Sequence, residues 1–406
     1  MEDDQTGKLG QEPGRLSAIR DFFALRRNIV VLSAATLLLG LGEEMWSKFI
    51  PKYLEALGAG VFAIGLFGTV EDLIDATYQF PGGLISDRIG RKRSLVLFGL
   101  VGVAGYTVYL IAGTWVVVFL GLFLVMASSL SQPVIFALIG DSLPKHRRAM
   151  GFSVQSILKR IPRAISPPIG GLIILYLGVI KGVKAALLLT IFLGLTAVYL
   201  QYRGYVETLK PEKRRSLSPR EAFRRMSSPL RWLLVSDCLA RMGQHITKMY
   251  AILYAMNVIG ITSVNFGLLV SVQTIASMLV YIPIARLSDT RRRKPYVAIT
   301  FLFFALYPLL IGISKNYLML LLAYVVAGLR EAGEPSRKAM IVDLAGESSR
   351  GSEVGLYYSI RGFVVMPGSL IGAALWSSSP ILPFLVGSSI AWAGLVIFLI
   401  RLKSNP

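Results

Sequence analysis

The sequence of 406 residues contains one cysteine and two histidines, too few for several kinds of site. The single cysteine, Cys238, excludes an intrachain disulfide, and because it lies in an apolar run we expect a buried free thiol. His146 and His245 are far apart, so no cluster has the spacing of zinc ligands. No phosphate-binding loop and no catalytic constellation is recognisable. These absences predict a protein that is not an enzyme and that holds no metal ion and no cofactor.

Charged residues are scarce as well. They make up 16% of the chain against 54% hydrophobic residues, and the mean hydropathy is +0.61. Such a chain is too apolar for a soluble protein of this length and too long for a single anchor. We therefore expect an all-α membrane protein that crosses the lipid bilayer many times.

The formal net charge of +20 is explained by basic residues that lie mostly on one side of the predicted membrane spans. In the predicted loops on the side opposite the N terminus, the basic residues are only Lys52, Lys181, Lys184 and Lys315. The positive-inside rule then places both termini in the cytoplasm. "RRRK" at 291–294 has neither an aromatic stacking surface nor a soluble basic domain beside it, so we expect no nucleic-acid partner. The predicted location is the cell (inner) membrane.

Apolar stretches of about 20 residues, the length that crosses a bilayer, occur twelve times. The predicted spans are 29–56, 60–84, 94–113, 115–140, 149–176, 183–203, 229–257, 263–286, 296–314, 317–343, 352–375 and 381–401. The predicted organisation is a cytosolic tail at 1–28, a six-helix bundle at 29–203, a cytosolic linker at 204–228, a second six-helix bundle at 229–401 and a tail at 402–406. The first tail has no apolar core before Ile29 and is not a cleavable signal. The linker is expected to hold a short amphipathic helix from about Arg220.

The two bundles are copies of one unit. With an offset of 202 residues and no gap, the following pairs align: Gly65 with Gly267, Leu66 with Leu268, Pro81 with Pro283, Ser86 with Ser288, Asp87 with Asp289, Pro133 with Pro335, and Asp141 with Asp343. Two bundles that start on the same side suit a carrier whose halves rock about a site between them.

The segment "GGLISDRIGRKRS", at 82–94, carries a more specific signal. It matches the helix 2–3 signature of the major facilitator superfamily, which the chain resembles over essentially its whole length. The matching residues are Gly83, Asp87, Arg88, Gly90, Arg91 and Lys92. The second copy keeps Asp289 and has Ala285, Thr290 and Arg292 in place of Gly83, Arg88 and Gly90.

The resemblance implies twelve helices in two pseudo-symmetric six-helix bundles. Helices 1, 4, 7 and 10 would line a central cavity, 2, 5, 8 and 11 would flank it, and 3, 6, 9 and 12 would be peripheral. It also implies that the signature residues and Asp289 form a conformational latch that holds one face of the carrier closed. The residues themselves allow a tight turn at Gly90 and a pair of Asp87 with Arg88 or Arg91. The alternative is a cluster that only fixes the loop.

Ionisable residues inside spans are costly in lipid and normally face protein or water. Helices 3, 6, 9 and 12 have almost none near their middles, so we expect the others to form a substrate and proton pathway. The candidates are Glu43, Glu44, Lys48, Glu71, Asp72, Asp75, Gln132, Lys159, Arg160, Arg163, Arg241, His245, Lys248, Arg330, Glu331, Glu334 and Arg361. Glu71 and Asp72, with no basic residue nearby on their own helix, are the first choices for a proton carrier. The alternative is that most of these residues form fixed ion pairs.

These features predict a secondary active transporter, proton-coupled, that moves a small polar organic anion or zwitterion by alternating access. Its partners would be the solute, protons or another coupling ion, and the bilayer, and it would act as a monomer. "SPPIGG" at 166–171 resembles the helix 5 pattern of drug antiporters, with Ser166 in place of the first glycine, so a proton-driven multidrug efflux antiporter is an alternative. A non-transporting membrane sensor or scaffold is a third, although no loop has room for a signalling domain.

Overall fold

The computed structural model describes residues 27–142, 148–207, 219–290, 293–345 and 350–402, and in these ranges every regular element is a helix. The helices form twelve spans, as predicted. In order, spans 1 to 12 are Arg27–Ala56; Val61–Ile89; Arg91–Ile111; Trp115–Val125 with Ala127–Ser142; Arg148–Leu177; Val179–Gly204; Ser228–Thr247 with Tyr250–Leu253 and Tyr254–Val258; Ser263–Thr290; Lys294–Ile313; Tyr317–Leu329 with Glu334–Leu344; Arg350–Val365 with Gly368–Ser378; and Leu382–Arg401. A short linker helix covers Pro219–Arg225. Most of both predicted tails and the middle of the predicted linker lie outside the described residues.

The connection between spans 2 and 3 is shorter than the sequence predicts. Only Gly90 separates the two helices, and its φ of +97° lies in the left-handed region, where a residue without Cβ is not strained. Asp87 and Arg88 therefore lie in the last turn of span 2, and Arg91 and Lys92 in the first turn of span 3, not in a loop. The predicted boundaries stopped where the apolar run stopped, but charged side chains at the membrane surface let a helix continue into water.

The offset of 202 residues recurs in the helix boundaries. Span 4 runs from Trp115 to Ser142 and span 10 from Tyr317 to Leu344, and spans 2 and 8 begin at Val61 and Ser263. Spans 1–6 form the N-terminal half and spans 7–12 the C-terminal half. The duplicated six-helix unit is confirmed.

Eight of the twelve spans are long and apolar enough to cross a membrane by length and composition alone. The remaining four, among the described residues, are spans 2, 5, 7 and 10. These four also carry most of the ionisable residues that the sequence places at membrane depth. Their charged residues make these four spans less apolar, and such residues are tolerated at membrane depth where the side chains face an internal space.

Among the described residues, the two halves share a buried core on one side of the molecule only. We call the side where Arg27 and Arg401 lie the terminal face and the opposite side the distal face. Towards the distal face one buried cluster contains residues of both halves, and the rings of Phe49 and Phe266 meet edge to face at 5.6 Å. Towards the terminal face each half has a core of its own. The observed conformation is therefore closed at the distal face.

Glycines allow the backbones of the two halves to touch along two seams. In the first seam, between spans 5 and 8, a Cβ on Gly171 would lie 2.4 Å from the carbonyl oxygen of Ser263, and one on Gly267 would lie 2.4 Å from that of Pro167. The second seam, between spans 2 and 11, is related by the repeat, and a Cβ on Gly65 would lie 2.7 Å from the carbonyl oxygen of Ser369. Backbone contact this close admits no side chain, so each seam depends on glycine.

We expect Gly267→Ala to shift the conformational equilibrium with little loss of folded protein, because its new methyl group meets the other half only. Gly170→Ala is the matched comparison: its Cβ would lie 1.8 Å from the carbonyl oxygen of Met45, which belongs to the same half. That change should lower the free energy of unfolding in every conformation, by roughly 1–3 kcal/mol.

The measurement is maleimide labelling of Ser369→Cys in a Cys238→Ser background, combined with thermal unfolding in detergent. Ser369 is fully buried between the halves, so its labelling rate reports separation of the halves at the distal face. Gly267→Ala should raise the labelling rate and Gly170→Ala should lower the melting temperature. Equal behaviour of the two variants would contradict this assignment.

Candidate functional site

The four spans expected to line a cavity are each interrupted. Span 1 tightens at Ser47–Phe49, span 4 breaks at Met126, span 7 breaks at 248–249 and span 10 breaks at 330–333. At the last break, the N–H of Gly333 donates to Thr300 Oγ1 (2.8 Å) instead of to a helical carbonyl. Irregular backbone at membrane depth is tolerated where it is buried in protein or lines a polar cavity.

A cavity of about 610 Å³ lies between the two halves at the level of these breaks. Nine ionisable side chains line it, all of them among the sequence-predicted candidates. They are Glu43, Glu44, Lys48, Glu71, Arg160, Arg163, Lys248, Arg330 and Glu331. The structure therefore brings together residues from spans 1, 2, 5, 7 and 10, which are distant in sequence.

Eight other predicted candidates are absent from the lining of this cavity: Asp72, Asp75, Gln132, Lys159, Arg241, His245, Glu334 and Arg361. Three of them form contacts within the N-terminal half. Asp75 accepts from Ser129 Oγ (2.6 Å), and Lys159 donates to Gln132 Oε1 (3.0 Å). The others take part in the two charge clusters described below.

In the N-terminal part of the cavity, two neighbouring glutamates have different partners. Glu44 accepts from Arg163 Nε (2.8 Å) and lies 3.5 Å from Lys48 Nζ. Glu43 accepts a hydrogen bond from Tyr106 and forms no ion pair with a described residue. Arg163 therefore serves a protein carboxylate, whereas Glu43 is held by a neutral donor.

A cluster of opposite charges joins the two halves. Lys248 of span 7 donates to Glu71 (2.6 Å) and to Asp72 (2.8 Å) of span 2, and His245 Nδ1 lies 2.6 Å from Asp72 Oδ2. We call these four residues the cross-half bridge. Sequence reasoning chose Glu71 and Asp72 because their own helix offers no cation, but span 7 supplies Lys248, more than 170 residues away.

A second charge cluster is buried inside the C-terminal half. Asp237 accepts from Arg337 (2.5 Å), Tyr357 (3.0 Å) and Arg361 (3.3 Å). Glu334 accepts from Arg337 Nη2 (2.8 Å) and from Arg241. Asp237, Arg337 and Tyr357 were not among the predicted pathway residues. The helical spacing of Asp237 with Arg241 and of Glu334 with Arg337 could have indicated the first two, whereas Tyr357 lies on a distant span and gives no local signal.

Two guanidinium groups in the cavity contact aromatic rings and form no ion pair with a described carboxylate. Arg160 of span 5 lies 4.3 Å from the ring centroid of Tyr281 and donates to Ser277 Oγ (3.2 Å). Arg330, at the break of span 10, lies over the rings of Phe304 (5.4 Å) and Tyr307 (5.2 Å).

Sequence reasoning missed the uncharged part of the lining. The polar residues are Ser47, Ser128, Gln244, Thr247, Gln273, Thr274 and Ser277, and the aromatic residues are Trp46, Phe67, Tyr109, Phe266, Tyr307 and Tyr324. Such residues are common in any span, so they give no local signal. The repeat gives one, because Gln273 and Thr274 stand 202 residues after Glu71 and Asp72.

The signature residues between spans 2 and 3 pack against the end of span 6. Arg91 Nη1 donates to Asp87 Oδ1 (2.7 Å) and to Ser86 Oγ (2.7 Å), and Glu207 accepts from the backbone N–H groups of Arg91 (3.0 Å) and Lys92 (3.3 Å). Each of these contacts stays within the N-terminal half. Gly83 and Arg88 lie in span 2, and the side chain of Asp289 lies outside the described residues.

Comparison with known proteins agrees with this architecture. The family model described as Major Facilitator Superfamily matches residues 32–264 and 233–406. An uncharacterized MFS-type transporter of Methanocaldococcus jannaschii is 24% identical over 378 residues, which cover 90% of this chain and 93% of that protein. A second one, YqjV of Bacillus subtilis, is 27% identical over 189 residues, 45% of each chain.

Solved structures give the same fold. The nucleoside transporter NupG superposes with a TM-score of 0.76 at 14% identity, covering 93% of this chain and 100% of that one. A POT family transporter in complex with 5-aminolevulinic acid superposes with a TM-score of 0.74 at 16% identity, covering 92% and 96%. Twelve spans in two repeated halves, a charged cavity between them and a family match along the chain lead to one conclusion: the chain belongs to the major facilitator superfamily and is a multi-pass membrane transporter.

Proposed function

We propose that the protein is a proton-coupled secondary transporter that moves a small polar organic anion or zwitterion by alternating access. The observation that carries the proposal is the cavity between the halves, with five basic and four acidic side chains in its lining. A site for a lipophilic cation would be richer in acids and would avoid unpaired guanidinium groups. This disfavours the multidrug antiporter, although one glycine of "SPPIGG", Gly171, does pack at an interface between the halves.

With both termini in the cytoplasm of a cell, the observed conformation would face inward. The shared distal core and the cross-half bridge would then form the closed outer gate. Opening that gate would require Lys248 to leave Glu71 and Asp72. We propose that the signature residues around Gly90 and Asp289 act in the opposite conformation, as a latch at the terminal face.

Glu43 is our candidate for the coupling carboxyl. It lines the cavity, accepts a hydrogen bond from Tyr106 and forms no ion pair with a described residue. The charged groups nearest to it are Glu44, Lys159 and Arg163, and Arg163 is already bound to Glu44. A carboxyl with a neutral partner can exist in either protonation state, whereas one that is locked to a cation stays ionised.

The test uses purified protein in liposomes with an imposed pH gradient and a panel of labelled amino acids, hydroxy acids and dicarboxylates. We expect the wild type to accumulate at least one of them when the gradient is imposed. Glu43→Gln should lose gradient-driven accumulation and keep solute counterflow. Glu221→Gln, which changes an exposed carboxyl of the linker helix, is the control and should behave as the wild type.

Three results would count against the proposal. Wild-type accumulation that ignores the pH gradient would exclude proton coupling, and gradient-driven accumulation by Glu43→Gln would remove Glu43 from the coupling role. A wild type that moves no solute of any charge would favour a sensor or scaffold.

A further inference from the structure

The cavity holds more positive charge than its own carboxylates compensate. Of the five basic side chains that line it, Lys48, Arg163 and Lys248 each contact a carboxylate. Arg160 and Arg330 form no ion pair with a described residue, although both reach the same space. Glu43 and Glu331 line the same cavity without an ion pair to a described residue, so five basic against four acidic side chains leave one net positive charge. A net positive charge at membrane depth is costly, and an anionic group of a solute would neutralise it.

Arg330 is the more constrained of the two. Its side chain is only 8% exposed, and its Nε has no hydrogen-bond partner in the described part of the chain. The rings of Phe304 and Tyr307 contact the guanidinium plane and thereby fix its orientation without using its N–H groups. The N–H groups of Arg330 are therefore held in a fixed orientation and have no acceptor among the described residues. This is the arrangement expected of a side chain that binds a ligand.

Arg160 approaches from the other half of the protein. Its guanidinium stacks on Tyr281, and one nitrogen donates to Ser277 Oγ, which leaves further N–H groups without a described acceptor. An acceptor without a partner lies in the same cavity, because Gln244 Oε1 is buried and accepts no hydrogen bond from a described residue. The cavity therefore presents unused donors together with an unused neutral acceptor.

We propose that Arg330, with Arg160 as a second cation, binds an oxyanion of the transported solute, a carboxylate or a phosphate, and that Gln244 accepts from an amino or hydroxyl group of the same solute. This inference rests on the proposed transport of an anion or zwitterion and specifies its binding site. A guanidinium fork matches either oxyanion with two parallel hydrogen bonds. Because Arg160 and Arg330 belong to opposite halves, one bound oxyanion would link the halves.

The test is equilibrium binding to the purified full-length protein, followed as ligand-induced thermal stabilisation. The probes are 4-aminobutyrate, phosphoethanolamine, butyrate and butylamine at equal ionic strength. 4-Aminobutyrate, phosphoethanolamine or both should stabilise the wild type, butyrate should do so less and butylamine should not. The difference between the first two probes distinguishes a carboxylate from a phosphate.

Variants of Arg330 test whether this side chain binds the oxyanion. Arg330→Gln should weaken binding of the stabilising probe roughly ten- to hundredfold, the range expected for a lost charged hydrogen bond. Arg330→Lys keeps the charge without the fork and should lose less. Lys338→Gln removes an exposed charge from the same span and should bind as the wild type does.

The proposal is overturned if no oxyanion probe stabilises the wild type, if butylamine stabilises it as well as 4-aminobutyrate does, or if Arg330→Gln binds with unchanged affinity. Binding is measured without a pH gradient, so it does not depend on coupling. If binding depends on Arg330 but the pH gradient drives no transport, the proposed proton coupling is wrong and the binding site stands. If Arg330→Gln still shows gradient-driven transport, the proposed binding site is wrong and the coupling stands.

Discussion

Arg337→Met is expected to lower the free energy of unfolding by about 3–5 kcal/mol and the yield of folded protein with it. Arg337 is 1% exposed and donates to both Asp237 (2.5 Å) and Glu334 (2.8 Å). Its removal leaves two buried carboxylates to share Arg241 and Arg361. The cost is large because neither carboxylate can turn to water, and methionine replaces the volume but not the charge.

The measurement is the melting temperature of purified protein in detergent, together with the yield of monodisperse protein. Lys338→Met is the control, since the next residue along the helix is exposed and should tolerate the change. Adding Asp237→Asn to Arg337→Met should restore part of the lost stability, because it removes one of the two stranded charges. A single variant that melts with the wild type would show that the cluster is not structural.

Lys248→Gln is expected to reduce transport by more than tenfold and to populate a conformation that is open at the distal face. Lys248 contacts Glu71 and Asp72 across the halves, so its contribution exists only while the distal face is closed. Losing one partner of a buried charge pair typically costs 2–5 kcal/mol. The side chain of Lys248 is 34% exposed, so we expect the lower end of that range, about 2 kcal/mol, and each 1.4 kcal/mol changes a population ratio tenfold. The carrier would then spend most of its time in one state and could not cycle.

The maleimide labelling of Ser369→Cys tests this directly, and its rate should rise in Lys248→Gln. Lys48→Gln is the matched control, because Lys48 lines the same cavity and is exposed to a similar extent, but its pair with Glu44 lies within one half. That variant should label at the wild-type rate. Slow labelling of Lys248→Gln together with normal transport would mean that the bridge does not hold the gate.

The backbone was predictable because its signals are local or repeated. Hydrophobic length identified twelve spans, and the offset of 202 residues identified two halves that the structure confirms. The prediction was wrong at the junction of spans 2 and 3, where charged residues continue the helix on both sides of Gly90. The interruptions of spans 1, 4, 7 and 10 were also missed, since a tightened or broken turn keeps the apolar pattern of a helix.

The sequence predicted in part which residues line the cavity, but it did not predict which of them pair with one another. A charged residue inside an apolar span is easily recognised in the sequence, and nine of the candidates do line the cavity. Which cation meets which acid depends on how distant spans pack, as Lys248 with Asp72 shows. Arg160 and Arg163 looked equivalent on one helix, yet Arg163 contacts Glu44 and Arg160 contacts a tyrosine ring of the other half.

The basic residues of the terminal face are also expected to influence the rate at which solute reaches the cavity. Because the described residues of the two halves share a core at the distal face, solute would enter this conformation from the terminal face, where most Lys and Arg side chains lie. Their summed field raises the local concentration of anions at the mouth and speeds encounter, and salt screens it over about 8–10 Å. A static field cannot change where the solute accumulates at equilibrium. If the solute is an anion, as proposed, this field would make the carrier load it faster from the terminal side than from the distal side, and more so in dilute buffer.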